Sequence, residues 1–508
     1  MFSLNLKEHR WAIVYCGIST FGALCYGYDQ IYYTGVLGMR PFIDAYGTTK
    51  DEDGATALTT SFLSLTASII YVGELLGALV AAYINDRFGR KGVFYCASAC
   101  IIAGAIVQAA DKSSEGLIIF GRILIGLGIG QFTVTCLLYI GEVAPKGIRG
   151  PALMMFQFMQ SCSQLVGSGI TKGTESIPSQ ASYKIPMALL ALLPLMMIVC
   201  LPFMPESPMW LMRKERKDQA SISLVKINRS RTRYSPDADV HAMQVAVEIE
   251  RANAAESSWL SLLRDPIERR KLLFSCGAMV AQQINGIQFF YSYGVVFAQS
   301  IGMDQPFTIS LITNVLQVVS VFASVLLGNR VPRRSNLLVT TGMMLVAFIV
   351  IGGFGTVHPL TNGFATAIVV FSYVIICAFN FGWGPLAFTI ASEMATGRNR
   401  NKIMSCSIMS FFFTVWIIAF TSPYIYYDAH LGPMLGFIYA GSTLVFSLTY
   451  TWYCVGETVG RSAVEIEQFF QHQVPVRKWR GHVFGEDDYA RNAESEKKGE
   501  VTTLEYLS

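Results

Sequence analysis

The chain has 508 residues, of which 52% are hydrophobic and only 15% are charged, and its mean hydropathy is +0.42. Soluble domains average about 25% charged residues, so this composition excludes an ordinary soluble protein and indicates an integral membrane protein. The formal net charge of +4 is small and carries no information about nucleic acid, which we do not expect among the partners.

The first apolar run extends from Trp11 to Leu37 and contains one carboxylate, Asp29. It is longer than the roughly 20 residues that cross a bilayer core, so it is not a cleavable signal. An acid at the middle of such a helix costs about 2.5–3.5 kcal/mol, and it should therefore face a wet cavity or a cation. Arg122, in a later apolar segment, is the candidate partner. We interpret the two as a proton-responsive pair in a solute pathway; the alternative is a permanent salt bridge that only orients two helices.

Apolar runs predict an all-α membrane protein with about twelve spans in two six-helix bundles. The predicted spans are 11–37, 58–84, 93–110, 116–139, 152–171, 183–203, 271–299, 307–328, 337–357, 365–391, 402–426 and 433–455. The predicted organisation is a cytosolic N-terminus (1–10), an N-terminal bundle (11–203), a linker with short helices (204–270), a C-terminal bundle (271–455) and a largely disordered tail (456–508).

Basic residues concentrate in one of the two alternating sets of short loops. This set contains Arg87, Arg90, Lys91, Lys146, Arg149, Arg330, Arg333, Arg334, Arg398, Arg400 and Lys402. The distribution places this set, the linker and both termini in the cytosol.

The two halves repeat their charges. Glu142, Arg149 and Glu206 recur about 251 residues later as Glu393, Arg400 and Glu457. Parallel repeats of six spans are typical of transporters, in which the substrate binds between the halves near mid-membrane.

Neither the cysteines nor the histidines suggest a catalytic or metal site. All eleven cysteines fall in apolar segments without metal-ligand spacing, and the six histidines form no cluster with other ligands. No nucleophile elbow is present. We therefore expect no enzyme activity, no cofactor and no metal.

A series of motifs resembles the sugar porter family of the major facilitator superfamily, in its fungal branch. The motifs are Gly27-Tyr28-Asp29-Gln30, Gly73-Glu74-Leu75-Leu76-Gly77, Asp86-Arg87-Phe88-Gly89-Arg90-Lys91, Gly121-Arg122, Glu142-Val143-Ala144-Pro145, Pro205-Glu206-Ser207-Pro208, Gln282-Gln283 with Gly286, and Gly382-Trp383-Gly384-Pro385. The resemblance covers Gly27 to about Ser462.

The cytosolic charges can link helix ends within each half. The resemblance implies that they form a gate that latches the outward-facing state and breaks when the carrier opens inward. The candidate gate residues are Arg87, Arg90, Glu142, Arg149, Glu206, Arg330, Arg333, Glu393, Arg400 and Glu457. Exposed pairs are individually worth about 0–1 kcal/mol, so only the network could bias the equilibrium.

Polar side chains in apolar spans are the candidate substrate contacts. Amides both donate and accept hydrogen bonds, which suits hydroxyl groups, and aromatic rings offer faces to a pyranose. The candidates are Tyr26, Gln157, Gln164, Gln282, Gln283, Gln288, Asn314, Trp383 and Phe388. The alternative for each amide is a hydrogen bond that only joins two helices.

Several positions depart from the family pattern in the C-terminal half. Gln288 stands where the family usually has Asn, Phe388 replaces a frequent Trp, and Phe411 replaces a polar amide. These changes favour a substrate with a less polar face than glucose, such as a deoxy sugar, a pentose, a sugar acid or a glycoside.

The resulting hypothesis is a plasma-membrane carrier that imports a sugar by alternating access, with proton symport, as a monomer in the lipid bilayer. The alternatives are an uncoupled sugar facilitator and a carrier of a polyol, sugar acid or secondary metabolite. A nutrient sensor would need a longer cytosolic tail than the roughly fifty residues after Gly456.

Overall fold

The computed structural model describes residues 8–50, 54–111, 113–145, 149–231, 234–256, 259–327, 331–357, 359–459, 461 and 463–482. These residues are almost entirely helical. The exception is a small antiparallel hairpin of β1 (Thr49–Lys50) and β2 (Thr56–Ala57), in which Thr49 pairs with Ala57.

The N-terminal half of the membrane domain comprises the first eight helices. They are α1 (Arg10–Ser19), α2 (Phe21–Leu37), α3 (Arg40–Tyr46), α4 (Thr60–Ala110), α5 (Glu115–Val143), α6 (Arg149–Thr174), α7 (Ala181–Leu189) and α8 (Leu192–Cys200), the last followed by a 3₁₀ turn, Leu201–Phe203.

Four helices of the linker follow, and then the C-terminal half. The linker helices are α9 (Pro208–Arg213), α10 (Lys217–Ile227), α11 (Asp237–Glu256) and α12 (Trp259–Arg264). The C-terminal half contains α13 (Pro266–Gln283), α14 (Ile287–Ser300), α15 (Pro306–Leu327), α16 (Arg333–Gly355), α17 (Asn362–Phe381), α18 (Trp383–Met394), α19 (Arg400–Pro423) with a π turn (Tyr424–Asp428), a 3₁₀ turn (Gly432–Met434), α20 (Leu435–Ser442), a π turn (Thr443–Leu448) and α21 (Thr449–Cys454).

Each of the twelve predicted spans is helical over most of its length. Among the described residues, eight helices are long and apolar enough to cross a membrane. The first, fifth and seventh predicted spans fall outside this set. The helices of the first and seventh are interrupted at Thr20 and at Ile284–Gly286. The fifth, α6, is more polar because it carries Gln157, Gln160 and Gln164. We call the side of the bundle that holds α9–α12 the linker side and the side that holds α3 and the hairpin the far side.

Helix α4 is two spans joined by a reversal. In its first part, Gly73 packs on Ile123 of α5 and Gly77 packs on Leu127, so the two helices run in the same direction. In its second part the order is reversed, because Gly104 packs on Gly121 while Ile101 contacts Gly128. The two parts of α4 are therefore antiparallel, as expected for the second and third predicted spans.

The reversal lies at Gly89, whose φ of 82° and ψ of −178° are in a region that is essentially restricted to glycine. A Cβ atom at this position would also lie 2.6 Å from Oε2 of Glu206. The chain therefore turns between the second and third spans only because residue 89 has no side chain.

The Gly89→Ala variant is expected to be destabilised by about 1–3 kcal/mol from backbone strain alone. Thermal unfolding of the purified protein measures this effect. The control is Gly342→Ala in α16, where an added Cβ meets no atom within 4 Å and the change should be neutral or slightly stabilising. Equal stability of the two variants would contradict the account of the reversal.

Large apolar side chains are exposed around the bundle, as expected for a surface in contact with lipid. Examples are Val199 (68% exposed), Phe203 (76%), Leu326 (62%) and Val339 (63%). In a soluble protein such a belt would be an aggregation site.

The tail that was predicted to be largely disordered begins with a folded segment that sequence analysis missed. Helix α22 (Ala463–Gln471) packs on the linker side of the C-terminal half, where Glu467 accepts a hydrogen bond from the completely buried Lys271 at 2.6 Å. The ring of Trp479 stacks on that of Phe469 at 4.8 Å. Residues 483–508 lie outside the described residues.

Candidate functional site

Asp29 and Arg122 form a buried ion pair inside the N-terminal half. Nη1 of Arg122 lies 2.9 Å and 3.1 Å from the two carboxylate oxygens of Asp29, and the two side chains are 3% and 2% exposed. The guanidinium also donates from Nε to the backbone oxygen of Thr66 at 3.2 Å. Its carbon Cζ lies 4.0 Å from the ring centroid of Tyr33. The predicted contact is therefore present, and the guanidinium is held from three directions.

A cluster of amides lies on the inner faces of α2, α6 and α15. Oε1 of Gln30 accepts hydrogen bonds from Gln160 at 3.1 Å and from Gln164 at 2.8 Å. Gln317 of the C-terminal half donates to Gln164. We call Gln30, Gln160, Gln164 and Gln317 the amide cluster. It joins the two halves near the middle of α6 and α15, and transporters of this architecture bind substrate between the halves near mid-membrane.

Three members of the amide cluster were missed by sequence analysis. Gln160 precedes Gln164 by four residues and Gln317 follows Asn314 by three, so helical spacing alone could have added both to the candidate set. Gln30 was noted only as part of a motif. The predicted candidate Gln157 is half-buried and lies three residues before Gln160, toward the linker side.

Five amide oxygens in the predicted spans of the C-terminal half are buried and have no hydrogen-bond partner among the described residues. They belong to Gln282, Gln283, Asn314, Gln317 and Asn380. A buried acceptor that is left unpaired costs about 1–3 kcal/mol. Such a group in a native protein calls for a specific explanation. These oxygens can accept hydrogen bonds from a ligand with several hydroxyl groups.

The remaining hydrogen bonds of these side chains fix their orientations. Nε2 of Gln282 donates to the backbone oxygen of Trp383 at 3.1 Å, at the break between α17 and α18. Asn380, which sequence analysis missed, donates to the hydroxyl of Tyr291 at 2.8 Å. Asn314 donates to Ser310 one turn away at 2.8 Å and lines a cavity of about 30 Å³.

Gln288 forms another hydrogen-bonded link between the two halves. Its Nε2 donates to the hydroxyl of Tyr71 on α4 at 2.5 Å and to Ser292 at 2.9 Å. Tyr26 is 7% exposed and is hydrogen-bonded to Gln30, so it lies beside the amide cluster.

The aromatic candidates of the C-terminal half differ in position. Trp383 does not offer a ring face to a ligand in this conformation, because it is completely buried and its Nε1 donates to Thr341 at 2.8 Å. Phe388 is half-buried, and its ring lies 5.2 Å from that of Phe411. Phe388 and Phe411, which both depart from the family pattern, therefore form one apolar wall.

Hydrogen bonds between the halves close the far side. The hydroxyl of Thr34 at the end of α2 donates to the backbone oxygen of Tyr291 in α14 at 2.7 Å. Gln299 donates to the backbone oxygen of Gly38 at 2.9 Å. Thr60 of α4 donates to Asp428 beyond α19 at 2.7 Å. These contacts hold the two halves together on the far side.

On the linker side, a charge network ties the helix ends of the N-terminal half together. Arg90 binds Glu142 with two hydrogen bonds, from Nε at 2.8 Å and from Nη2 at 2.6 Å. The backbone N–H of Arg90 donates to Glu206 at 3.1 Å. A second cation, Arg213 of α9, lies 3.7 Å from Glu142.

The C-terminal half repeats this arrangement. Arg333 forms an ion pair with Glu393, and its backbone N–H donates to Glu457 at 3.1 Å. The same roles in the first half belong to Arg90, Glu142 and Glu206, so the repeat seen in the sequence is also a repeat of geometry. Both networks are intact in the same structure as the hydrogen bonds that join the halves on the far side.

The other gate candidates lie outside these contacts. Arg87 is exposed and donates to the hydroxyl of Tyr83 at 2.9 Å instead of to an acid. Arg400 is exposed at the start of α19. Arg330 and the side chain of Arg149 lie outside the described residues.

Glu206 lies beyond the spans and is mostly enclosed by protein. Burial raises the pKa of its carboxyl above the ordinary value, although the backbone N–H groups of Ser207, Lys91 and Arg90 lower it. Because folding raises this pKa, the folded state binds the proton more tightly than the unfolded chain. The contribution of Glu206 to stability therefore falls as the pH rises through the raised pKa.

Comparison with curated proteins finds hexose carriers of yeasts. A low-affinity glucose transporter of Kluyveromyces lactis is 27% identical over 484 residues, which cover 92% of this chain and 84% of the relative. The galactose transporter of Saccharomyces cerevisiae is 26% identical over 492 residues, which cover 94% of this chain and 84% of the relative.

Comparison with solved structures finds the xylose transporter XylE from E. coli. Its partially occluded inward-open form superposes with a TM-score of 0.73 at 19% identity and covers 89% of this chain and 100% of that chain. The proton:xylose symporter XylE bound to 6-bromo-6-deoxy-D-glucose has a TM-score of 0.72 at 18% identity and covers 91% of this chain and 100% of that chain. The fold is thus that of the major facilitator superfamily.

The family model described as "Sugar (and other) transporter" matches residues 15–470. This range includes the Asp29–Arg122 pair, the amide cluster and both charge networks. The chain is therefore a multi-pass membrane transporter that belongs to the Sugar (and other) transporter family.

Proposed function

We propose that the protein imports a monosaccharide or related sugar across the plasma membrane by proton-coupled symport, as a monomeric carrier rather than an enzyme. Residues 11–203 and 271–455 form two bundles that rock around the bound sugar. The linker side, with both termini, faces the cytosol, as the positive-inside distribution indicates.

The observation that carries this proposal is the set of five unpaired amide oxygens. A sugar donates several hydroxyl protons at once, and each bond to a buried oxygen removes a desolvation penalty. The amide cluster supplies further donors and acceptors from the N-terminal half, so a bound sugar would bridge both bundles. Relatives whose names specify glucose and galactose support the substrate class.

The Asp29–Arg122 pair supports the coupling. A proton on Asp29 would weaken its hold on Arg122 and free α5 to move relative to α2. One proton charge that crosses 100 mV supplies about 2.3 kcal/mol, which is nearly two decades of solute accumulation. A proton would enter from the far side and leave to the linker side, so Asp29 would be protonated in the outward-facing state and ionised in the state seen here.

The wall of Phe388 and Phe411 supports a substrate with an apolar face. A deoxy sugar, a pentose or a glycoside leaves fewer hydroxyl groups unpaired against these rings than glucose does.

Radiolabelled uptake tests this proposal. The protein is expressed in a host that lacks hexose transporters, and D-glucose, D-xylose, a deoxy sugar, a sugar acid and a polyol are compared with and without a protonophore. Accumulation of a sugar that the protonophore abolishes is the expected result. Transport of the polyol alone, or sugar uptake that is indifferent to the protonophore, would contradict the proposal.

The Gln283→Met variant tests the sugar site without removing bulk. Oε1 of Gln283 has no hydrogen-bond partner among the described residues, so the substitution breaks none of the hydrogen bonds that the structure describes for that oxygen. A lost bond of about 1.4 kcal/mol to the sugar weakens its binding about tenfold. We expect this change in the half-saturating sugar concentration with unchanged surface expression. In the Gln282→Ala variant, surface expression should fall as well as sugar affinity, because the Gln282 side chain hydrogen-bonds to the backbone at the break between α17 and α18. Unchanged affinity in Gln283→Met would refute the assignment.

A further inference from the structure

A second carboxyl group, Glu74, lies in the same bundle as Asp29 and has no assigned role. It is 0% exposed, and both of its carboxyl oxygens are buried without a hydrogen-bond partner among the described residues. Its backbone is pressed against α5, where a Cβ atom on Gly126 would lie 3.1 Å from the Glu74 nitrogen.

The groups that face Glu74 come from three helices. Asp29 and Tyr26 lie on α2, Arg122 lies on α5, and Tyr71 lies on α4 itself, and each is within electrostatic range of the Glu74 carboxyl. Tyr26 contacts Gln30, and Gln30 accepts a hydrogen bond from Gln164 within the amide cluster. Glu74 therefore lies near the ion pair and near Tyr26, which borders the amide cluster.

If Asp29 and Glu74 are both ionised, their two negative charges exceed the single positive charge of Arg122. Arg122 and Asp29 neutralise each other at 2.9 Å. An ionised Glu74 would add a net negative charge in a membrane-spanning bundle, with no donor within hydrogen-bond reach to stabilise it. A buried carboxylate without a partner takes up a proton rather than bear this penalty.

We propose that Glu74 is a proton-binding site of the carrier and holds a proton in the state seen here, while Asp29 remains ionised on Arg122. This deepens the proposed function and rests on it. The proton that Asp29 takes up in the outward-facing state passes to Glu74, which leaves the Asp29 carboxylate ionised on Arg122 as in the state seen here. Glu74 then releases this proton to the linker side before the unloaded carrier returns, so one proton crosses with each sugar.

Infrared difference spectroscopy of the purified protein detects the proton on the Glu74 carboxyl in the absence of sugar. We expect the difference between wild type and Glu74→Gln at neutral pH to contain the C=O stretching band of a protonated carboxylic acid. The Glu74→Asp variant should keep such a band at a shifted frequency, which guards against misfolding of the glutamine variant. The control is Glu115→Gln at the exposed start of α5, whose difference should contain only carboxylate bands. Carboxylate bands in the Glu74→Gln difference would overturn the proposal.

Transport in proteoliposomes tests the coupling role. With radiolabelled D-glucose and D-xylose as probes, Glu74→Gln should keep counterflow exchange but lose accumulation driven by an imposed pH gradient. Accumulation at the wild-type level in this variant would overturn the coupling role of Glu74. A wild-type protein that equilibrates the probes without accumulating them would instead overturn proton-coupled import, and the infrared result would then decide on the Glu74 proton alone.

Discussion

The Asp29→Asn variant is expected to lose sugar accumulation completely while it retains counterflow exchange. Asparagine keeps the shape of the side chain but cannot ionise, so the variant resembles a carrier whose Asp29 always holds a proton. Exchange needs only the sugar-loaded carrier to change conformation, whereas accumulation needs release of the proton on the linker side. Radiolabelled uptake and efflux exchange in the same cells measure the two activities separately.

A folding control is needed, because the substitution leaves Arg122 as a buried charge without its partner. Removing one member of a buried pair destabilises a protein by about 3–5 kcal/mol. The double variant Asp29→Asn/Arg122→Gln removes both charges and should restore stability without restoring accumulation. If Asp29→Asn concentrates sugar as well as wild type does, the ion pair only orients α2 and α5, and the coupling role is wrong.

The Arg90→Ala variant is expected to lower the free energy of unfolding by about 3–5 kcal/mol, because it leaves the Glu142 carboxylate without its two-bond partner. The side chains of Arg90 and Glu142 are 1% and 9% exposed, so water cannot replace the lost bonds. Arg213, at 3.7 Å, compensates only in part. The unfolding temperature of the purified protein in detergent measures the effect.

Two other arginine variants serve as controls for this prediction. Arg87→Ala should change stability little, because that side chain is exposed and contacts no acid. Arg333→Ala should show an intermediate loss, since Arg333 is 15% exposed and its partner Glu393 is 24% exposed. A loss in Arg87→Ala as large as that in Arg90→Ala would show that the positive charge of the loop, rather than the ion pair, stabilises the linker side.

The sequence predicted the features that depend on hydrophobicity and charge. The acid in the first predicted span and the arginine in the fourth pointed to each other because a charge is costly to bury alone, and the structure places them 2.9 Å apart. The spacing of Glu142, Glu206, Glu393 and Glu457 predicted the two equivalent networks, since a repeated charge pattern is not needed for packing alone.

Features that depend on three-dimensional packing were not predictable. Trp383 was a candidate because an aromatic ring offers a face to a pyranose, but at the break between α17 and α18 its side chain is completely buried. Gln317 contacts Gln164 only because α15 and α6 meet across the halves. Glu74 was read as part of a glycine motif, and its lack of a partner can be recognised only when every neighbouring donor has been located.

The most direct test of proton-coupled import is the pH of a weakly buffered suspension of de-energised cells that express the protein, recorded when the transported sugar is added. The account predicts that the medium becomes alkaline as protons enter with the sugar, and that cells expressing Asp29→Asn show no change. Sugar uptake at the wild-type rate without any alkalinisation would contradict proton-coupled import.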